Sequence, residues 1–193
     1  TWPQRHSATF SELAARMADF GMSCPTVLEV GPGAVTTWLR DWLRPGEGRE
    51  LSWAQNRYRA LLRNLDGLLR RLPGAPLCSY EPGELRDYLP AGAKRIVADI
   101  SPAVIEAVGR QYPDVTARVF DFAAAAYPEP VDVIVCLCVL VRARAPERIF
   151  ANLYRSLKDG GLLVMDHRSC TTFNPSGLPL KKLAGQVWRK PKV

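Results

Sequence analysis

No apolar stretch of this 193-residue chain approaches the ~20 residues that a membrane span requires, and no basic-then-apolar segment opens it as a secretory signal would. A soluble, cytoplasmic protein with no membrane partner is expected. Cysteine is sparse: Cys24, Cys78, Cys136, Cys138 and Cys170 are an odd number, and no two stand in C-x-x-C spacing. That pattern fits neither a disulfide framework nor a zinc site, and no metal is expected. Cys136 and Cys138, two apart in an apolar run, share one face of a strand as small hydrophobes. Histidine is nearly absent, His6 and His167 being the whole complement. Internal repeats and low-complexity segments are missing. With 47% apolar composition, residues 1–193 read as one domain with one core.

Positive charge is present, and its location matters more than its total of +7. Residues 51–72 carry five arginines and one aspartate, residues 178–193 carry five basic residues and no acid, and the rest of the chain is slightly acidic. The excess is confined to one helical segment and a tail. A nucleic-acid partner is therefore disfavoured, though not excluded, and a small-molecule substrate is preferred.

The apolar pattern alternates between two periods. "TVLEV", "KRIVADIS", "TARVFDF", "VDVIVCLCVL" and "GLLVMDH" read as five buried strands. Between them lie helical patterns: Ser11 to Phe20 ended by Gly21, "TTWLRDWLR", an arginine-faced amphipathic helix of about six turns over 51–72, "PAVIEAVGRQY" with Ser101 as N-cap and Pro102 at its first position, and "APERIFANLYRSLKDGG" stopping at Gly160. Buried strands alternating with helices predict an α/β fold, a doubly wound and mostly parallel sheet covered on both faces.

In such a sheet, ligands bind beyond the carboxyl ends of the strands where the strand order reverses. Residues 27–35, "VLEVGPGAV", put Gly31 and Gly33 at the first strand-to-helix turn. By itself this is either a place where backbone approaches a ligand or a tight turn. Asp99 ends the second strand, where a carboxylate can accept hydrogen bonds from both hydroxyls of a ribose. Asp121, followed by Phe122, ends the third, suited to the exocyclic amine and the ring of adenine. Glu29 shares a strand face with Gly31 and can meet a cationic end of a ligand. A dinucleotide fits less well: Thr36 stands where the third glycine of G-x-G-x-x-G belongs, and Asp99 lies 66 residues beyond Gly33 instead of about 20.

With "VLEVGPGAV", "RIVADISPAVIEAV", "ARVFDF", "VDVIVCLCVLVR" and "LYRSLKDGGLLVMD" in this order, the chain resembles the class I S-adenosylmethionine-dependent methyltransferases over roughly residues 25–166. The resemblance implies a Rossmann-like methyltransferase fold and S-adenosyl-L-methionine as cofactor. It places Glu29, Gly31 and Gly33 at the methionine end, Asp99 at the ribose, Asp121 and Phe122 at the adenine, backbone near Cys136 beside the ligand, and Ile100 among the cofactor-binding residues.

Three features depart from the family pattern. Val35 replaces a small residue of the loop. A helical insertion, residues 45–92, separates the first helix from the second strand and is read as a possible lid. Only 27 residues follow Asp166, which predicts either a shortened C-terminus without the terminal helix and antiparallel hairpin or a chain incomplete at that end. Trp53, Tyr58, Tyr80 and Tyr88 of the insertion are candidates to face a sulfonium, which aromatic faces attract, or anchors of the insertion. Arg57 and Arg63 could hold an acidic substrate. Tyr80 and Tyr88, with His167 as candidate base after the fifth strand, form the catalytic expectation.

The activity expected is methylation of a small molecule at an unspecified O, N or C nucleophile. The alternatives are an intramolecular cyclase releasing methylthioadenosine, an RNA methyltransferase and a non-catalytic methyltransferase-like binding protein. The oligomeric state is not legible.

Overall fold

The structure, a computed structural model, describes residues 4–32, 85–137, 139–140, 143–166 and 178–192. The expected helix over 51–72 and the residues Gly33, Val35, Thr36, Tyr80 and His167 lie outside them. In chain order the described elements are α1 (Gln4–Asp19), β1 (Thr26–Val30), β2 (Lys94–Asp99), α2 (Pro102–Gln111), β3 (Thr116–Val119), β4 (Val131–Cys136), α3 (Pro146–Ser156), β5 (Leu157–Met165), β6 (Lys181–Ala184) and β7 (Val187–Arg189). The strands form one seven-stranded sheet in the order β3-β2-β1-β4-β5-β7-β6. Strands β1 to β5 pair in parallel, and β7 runs against both its neighbours.

The continuous apolar runs are explained by burial on both faces. Leu28, Val30, Ile96, Ala98, Ile134, Cys136, Leu163 and Met165 pack on one side with Phe150 and Leu153 of α3. Val27, Val133, Val135, Leu162, Val164 and Val187 pack on the other with Phe10, Leu13 and Met17 of α1. Period-2 alternation within each strand sends neighbours to opposite layers, so in β1 and β4 every residue but Thr26 and Asp132 is buried.

Two helix boundaries differ from expectation. Helix α1 begins at Gln4 instead of Ser11, because Phe10 completes the buried stripe with Leu13 and Met17 at one-turn and two-turn spacing. It ends as expected at Gly21, φ +67°, whose N–H donates to the Ala18 carbonyl at 3.0 Å. Ser101 occupies the N-cap of α2 and Pro102 follows, yet the Ser101 side chain makes no capping bond. Helix α3 stops at Ser156, before the glycines. Gly160, φ +80°, and Gly161 instead belong to a bulge at the start of β5, where the register jumps from Val131↔Leu157 to Val133↔Leu162. A Cβ on Gly161 would stand 2.9 Å from the Asp132 carbonyl oxygen, so this crossing requires glycine.

The expected loss of the terminal hairpin is corrected. The residues after Asp166 include β6 and β7, which complete the antiparallel edge in four and three residues. The strands are this short because backbone bonds from Lys190 N to Gly161 O at 2.9 Å and from Gly160 N to Lys190 O at 3.1 Å tie the last segment to the β5 bulge. Among the described residues, no helix is long and apolar enough to cross a membrane.

Candidate active site

Strand order reverses between β1, which leads on to β2 and β3, and β4, which leads on to β5. The crevice at their carboxyl ends is the topological switch point. Gly31 leaves β1 with its N–H still bonded to the Ala98 carbonyl at 2.8 Å, continuing the ladder to β2. Its φ is +62°, and a Cβ there would lie 2.5 Å from Val139 Cγ2. Two independent constraints therefore demand glycine at this position. The apolar run of β4 continues to Leu140, but the strand ends at Cys136, and the segment beyond brings Val139 against Gly31. Cys136 itself is fully buried, in register with Val30 on one side and Met165 on the other, so its backbone stands at the β1/β4 edge of the crevice.

Asp99 ends β2 with Oδ1 accepting the Ser101 N–H at 2.8 Å, an Asx-type turn that orients the carboxylate as the chain enters α2. Ile100 between them is 67% exposed, one of two large apolar side chains left open to solvent among the described residues. The second, Val119, faces Asp99 in register at the end of β3. Asp121 makes the same kind of turn, Oδ1 accepting the Ala123 N–H at 2.8 Å, and its side chain is exposed. Asp99 and Asp121 thus close neighbouring strands with similarly fixed carboxylates.

Phe122, expected beside the adenine, is buried in the ligand-free chain. It is 5% exposed and lies in the core, its centroid 4.8 Å from that of Phe120, which meets Tyr127 edge-on at 5.3 Å. Burial raises the pKa of the Tyr127 phenol, with the nearby Arg118 charge opposing. Asn152 Nδ2 donates to the Phe122 carbonyl at 2.7 Å, and Ser156 Oγ accepts the Tyr127 N–H at 2.8 Å. These two polar residues on the buried face of α3 pin the loop that follows Asp121.

Tyr88 packs against the core. Its ring stands 5.8 Å from Phe10 of α1 and packs with Leu85 and Leu89 on the α1 side of the core. A ring held there anchors the end of the insertion. Tyr88→Phe is expected to leave the rate of methyl transfer unchanged, and a steady-state assay of the variant checks this.

Glu29 is 0% exposed and accepts a bond from Arg95 Nη2 at 3.1 Å. Sequence reading did not single out Arg95. Its signal was a charge inside "KRIVAD", a strand otherwise buried. Asp166, 6% exposed just past β5, was read only as the neighbour of His167. No set of three or more His, Cys, Asp or Glu is arranged to hold a metal ion among the described residues.

A doubly wound sheet with an antiparallel seventh strand, a glycine at the switch point and carboxylates on adjoining strand ends define a nucleoside-binding α/β domain. The family model described as "Methyltransferase domain" matches residues 83–163. Among solved structures, the N-methyltransferase NodS from Bradyrhizobium japonicum WM9 in complex with S-adenosyl-L-homocysteine is similar at 14% identity, covering 97% of this chain and 89% of that one, with a TM-score of 0.51. The citrinin polyketide synthase CMeT domain gives 16%, 82%, 34% and 0.44 in the same terms. The plantazolicin methyltransferase BpumL, in complex with a monoazolic desmethylPZN analog and SAH, gives 12%, 89%, 51% and 0.48. The chain thus spans about a third and a half of the length of the last two. No curated protein sequence matches it. Residues 83–163 thus match a methyltransferase domain, and the fold is similar to that of NodS.

Proposed function

We propose that this chain binds S-adenosylmethionine at the carboxyl ends of β1, β2 and β4 and methylates a small-molecule acceptor. The observation that carries the reading is the alignment of Gly31, Asp99 and Asp121 on successive strand ends beside the switch point. The described residues suit the cofactor: the crevice offers a position without a side chain at Gly31, and an exposed apolar side chain, Ile100, next to a carboxylate. When bound, the cofactor supplies a methyl group on a sulfonium, which an acceptor's lone pair takes as the C–S bond breaks and its electrons remain on sulfur.

The residues of the chain hold and orient. Asp99 accepts hydrogen bonds from the ribose hydroxyls, Ile100 covers one face of the base, and Asp121 accepts from the exocyclic amine. Gly31 and the backbone at Cys136 admit the methionine end, and the carboxylate of Glu29 attracts its ammonium group. Holding nucleophile and methyl in line accounts for most of the acceleration such a site can give. His167 and Tyr80 are retained as candidates on the acceptor side from sequence alone.

A small acceptor is favoured over nucleic acid because two of the five basic residues of the tail, Arg189 and Lys190, are engaged by the body of the protein, while Lys181, Lys182 and Lys192 are exposed. Lys190 Nζ lies 3.1 Å from Asp159 and 4.7 Å from the Tyr154 ring, and the Arg189 guanidinium lies 3.6 Å above the Phe20 ring. Incubation with methyl-labelled cofactor and a panel of amine, hydroxyl and carbon acceptors should move label to one class, with an equal yield of S-adenosylhomocysteine. Release of methylthioadenosine without label transfer would replace this reading by the cyclase. Binding with neither outcome would leave only a binding protein.

A further inference from the structure

Asn152 lies on the buried face of α3 with Phe150, Leu153 and Ser156, 4% exposed, where an apolar side chain would fill the space with no polar group to satisfy. Its amide is held at both ends: Nδ2 donates to the Phe122 carbonyl at 2.7 Å, and Oδ1 accepts from Arg155 Nη1 at 3.2 Å. A carbonyl requires a donor and a guanidinium an acceptor, so the amide has one orientation. Ser156, one turn on and 0% exposed, donates from Oγ to the Asn152 carbonyl at 2.7 Å and accepts the Tyr127 N–H at 2.8 Å. Two buried polar side chains of one helix are thus both bonded to the loop between β3 and β4.

The two bonds reach different ends of that loop. Ser156 holds it at Tyr127. Asn152 holds the peptide group next to Asp121, whose C=O belongs to Phe122 and whose N–H belongs to Ala123. The two point to opposite sides of one rigid plane. The carbonyl takes the Asn152 amide, and the N–H donates to Asp121 Oδ1 at 2.8 Å. Turning the plane would break both bonds together, and the bond to the carbonyl strengthens the N–H as a donor. The direction in which the Asp121 carboxylate is held is therefore set from α3. Asp121 is exposed, and its Oδ2 makes no bond within the described residues. One oxygen belongs to the turn, and the other is left for an incoming donor.

We infer that Asn152 is a positioning residue of the base subsite: through the Phe122–Ala123 peptide it aims the Asp121 carboxylate at the exocyclic amine of adenine. This rests on the reading of the crevice as an S-adenosylmethionine site with Asp121 at the base.

Calorimetry tests it with two ligands, S-adenosylhomocysteine and the analogue that carries purine in place of adenine and so lacks only the exocyclic amine. The readout is the ratio of the two affinities in wild type, D121A, N152A, N152A/D121A and S156A. Wild type should prefer S-adenosylhomocysteine roughly tenfold or more, and D121A should lose that preference. N152A should cut the preference about three- to tenfold while binding the purine analogue as wild type does, and N152A/D121A should show the ratio of D121A. S156A removes a buried hydrogen bond from the same loop, so it should lower the thermal midpoint and keep the preference. Should N152A fail to fold, N152D, which keeps the volume and sets an acceptor against the carbonyl, carries the same expectations. An unchanged ratio in N152A, or equal losses for the two ligands, would make Asn152 merely structural and overturn the inference. An equal fall of the ratio in S156A would overturn it too, because any loosening of the loop would then suffice. A preference that survives in D121A would remove the base from Asp121, and the inference with it. Wild-type protein that binds neither ligand would instead refute the cofactor reading itself.

Discussion

Gly31→Ala should destabilise the protein by about 2–5 kcal/mol and reduce binding of S-adenosylhomocysteine below detection. The two causes are separable. At φ +62° any L side chain meets its own backbone, a cost of roughly 1–2 kcal/mol. The new methyl would also stand 2.5 Å from Val139 Cγ2. Valine is stiff about χ1, so Val139 cannot turn the methyl aside, and either its segment or the end of β1 must shift. The second cause disappears if Val139 is shortened. In the Val139→Ala background the nearest remaining atom is Val139 Cβ at 3.7 Å, an ordinary contact. Gly31→Ala should then cost only the backbone term, and the cycle of single and double variants should show a coupling of about 1–3 kcal/mol by urea denaturation. Additive losses would mean that the two residues do not meet, and that the segment after β4 does not lie against the glycine turn.

Residues that must be what they are for local reasons were legible in the sequence. The strand runs of β1, β2 and β4, Gly21 closing α1, Pro102 opening α2 and the aspartates at strand ends each declare themselves within a window of a few residues. What escaped depends on partners distant in the chain. The contacts of Phe122 with Phe120, and of Phe120 with Tyr127, in a loop held by Asn152 and Ser156, could not be read from its place beside Asp121. Tyr88 is claimed by Phe10, far from it in sequence. The Glu29–Arg95 pair exists only once β1 and β2 are in register. Gly160 reads as a helix stop on local grounds, yet α3 has already ended, and what this glycine serves is the crossing of β5 with Lys190. The hairpin was dismissed by counting residues, because two strands of four and three residues fall below the length at which alternation can be seen.

Asp99→Asn should weaken S-adenosylhomocysteine about tenfold or more while leaving the fold intact, and Asp99→Ala should weaken it further and loosen the start of α2. The difference follows from the two duties of the carboxylate. Oδ1 receives the Ser101 N–H at 2.8 Å and so fixes the turn into the helix. Asparagine keeps an oxygen for that bond but replaces the second acceptor by a donor and removes the charge, so it loses the hydroxyl contacts alone. Alanine loses both, and because Ser101 makes no side-chain cap to α2, nothing local replaces the turn. Calorimetry of the two variants against S-adenosylhomocysteine and against free adenine separates these effects. Asn should impair only the ribose-bearing ligand, and Ala should also lower the thermal midpoint. Wild-type affinity for S-adenosylhomocysteine in a folded Asp99→Asn protein would remove the ribose contact from β2. The nucleoside would then have to be sought along Asp121 and Val119 at the end of β3, the next strand outward in the sheet.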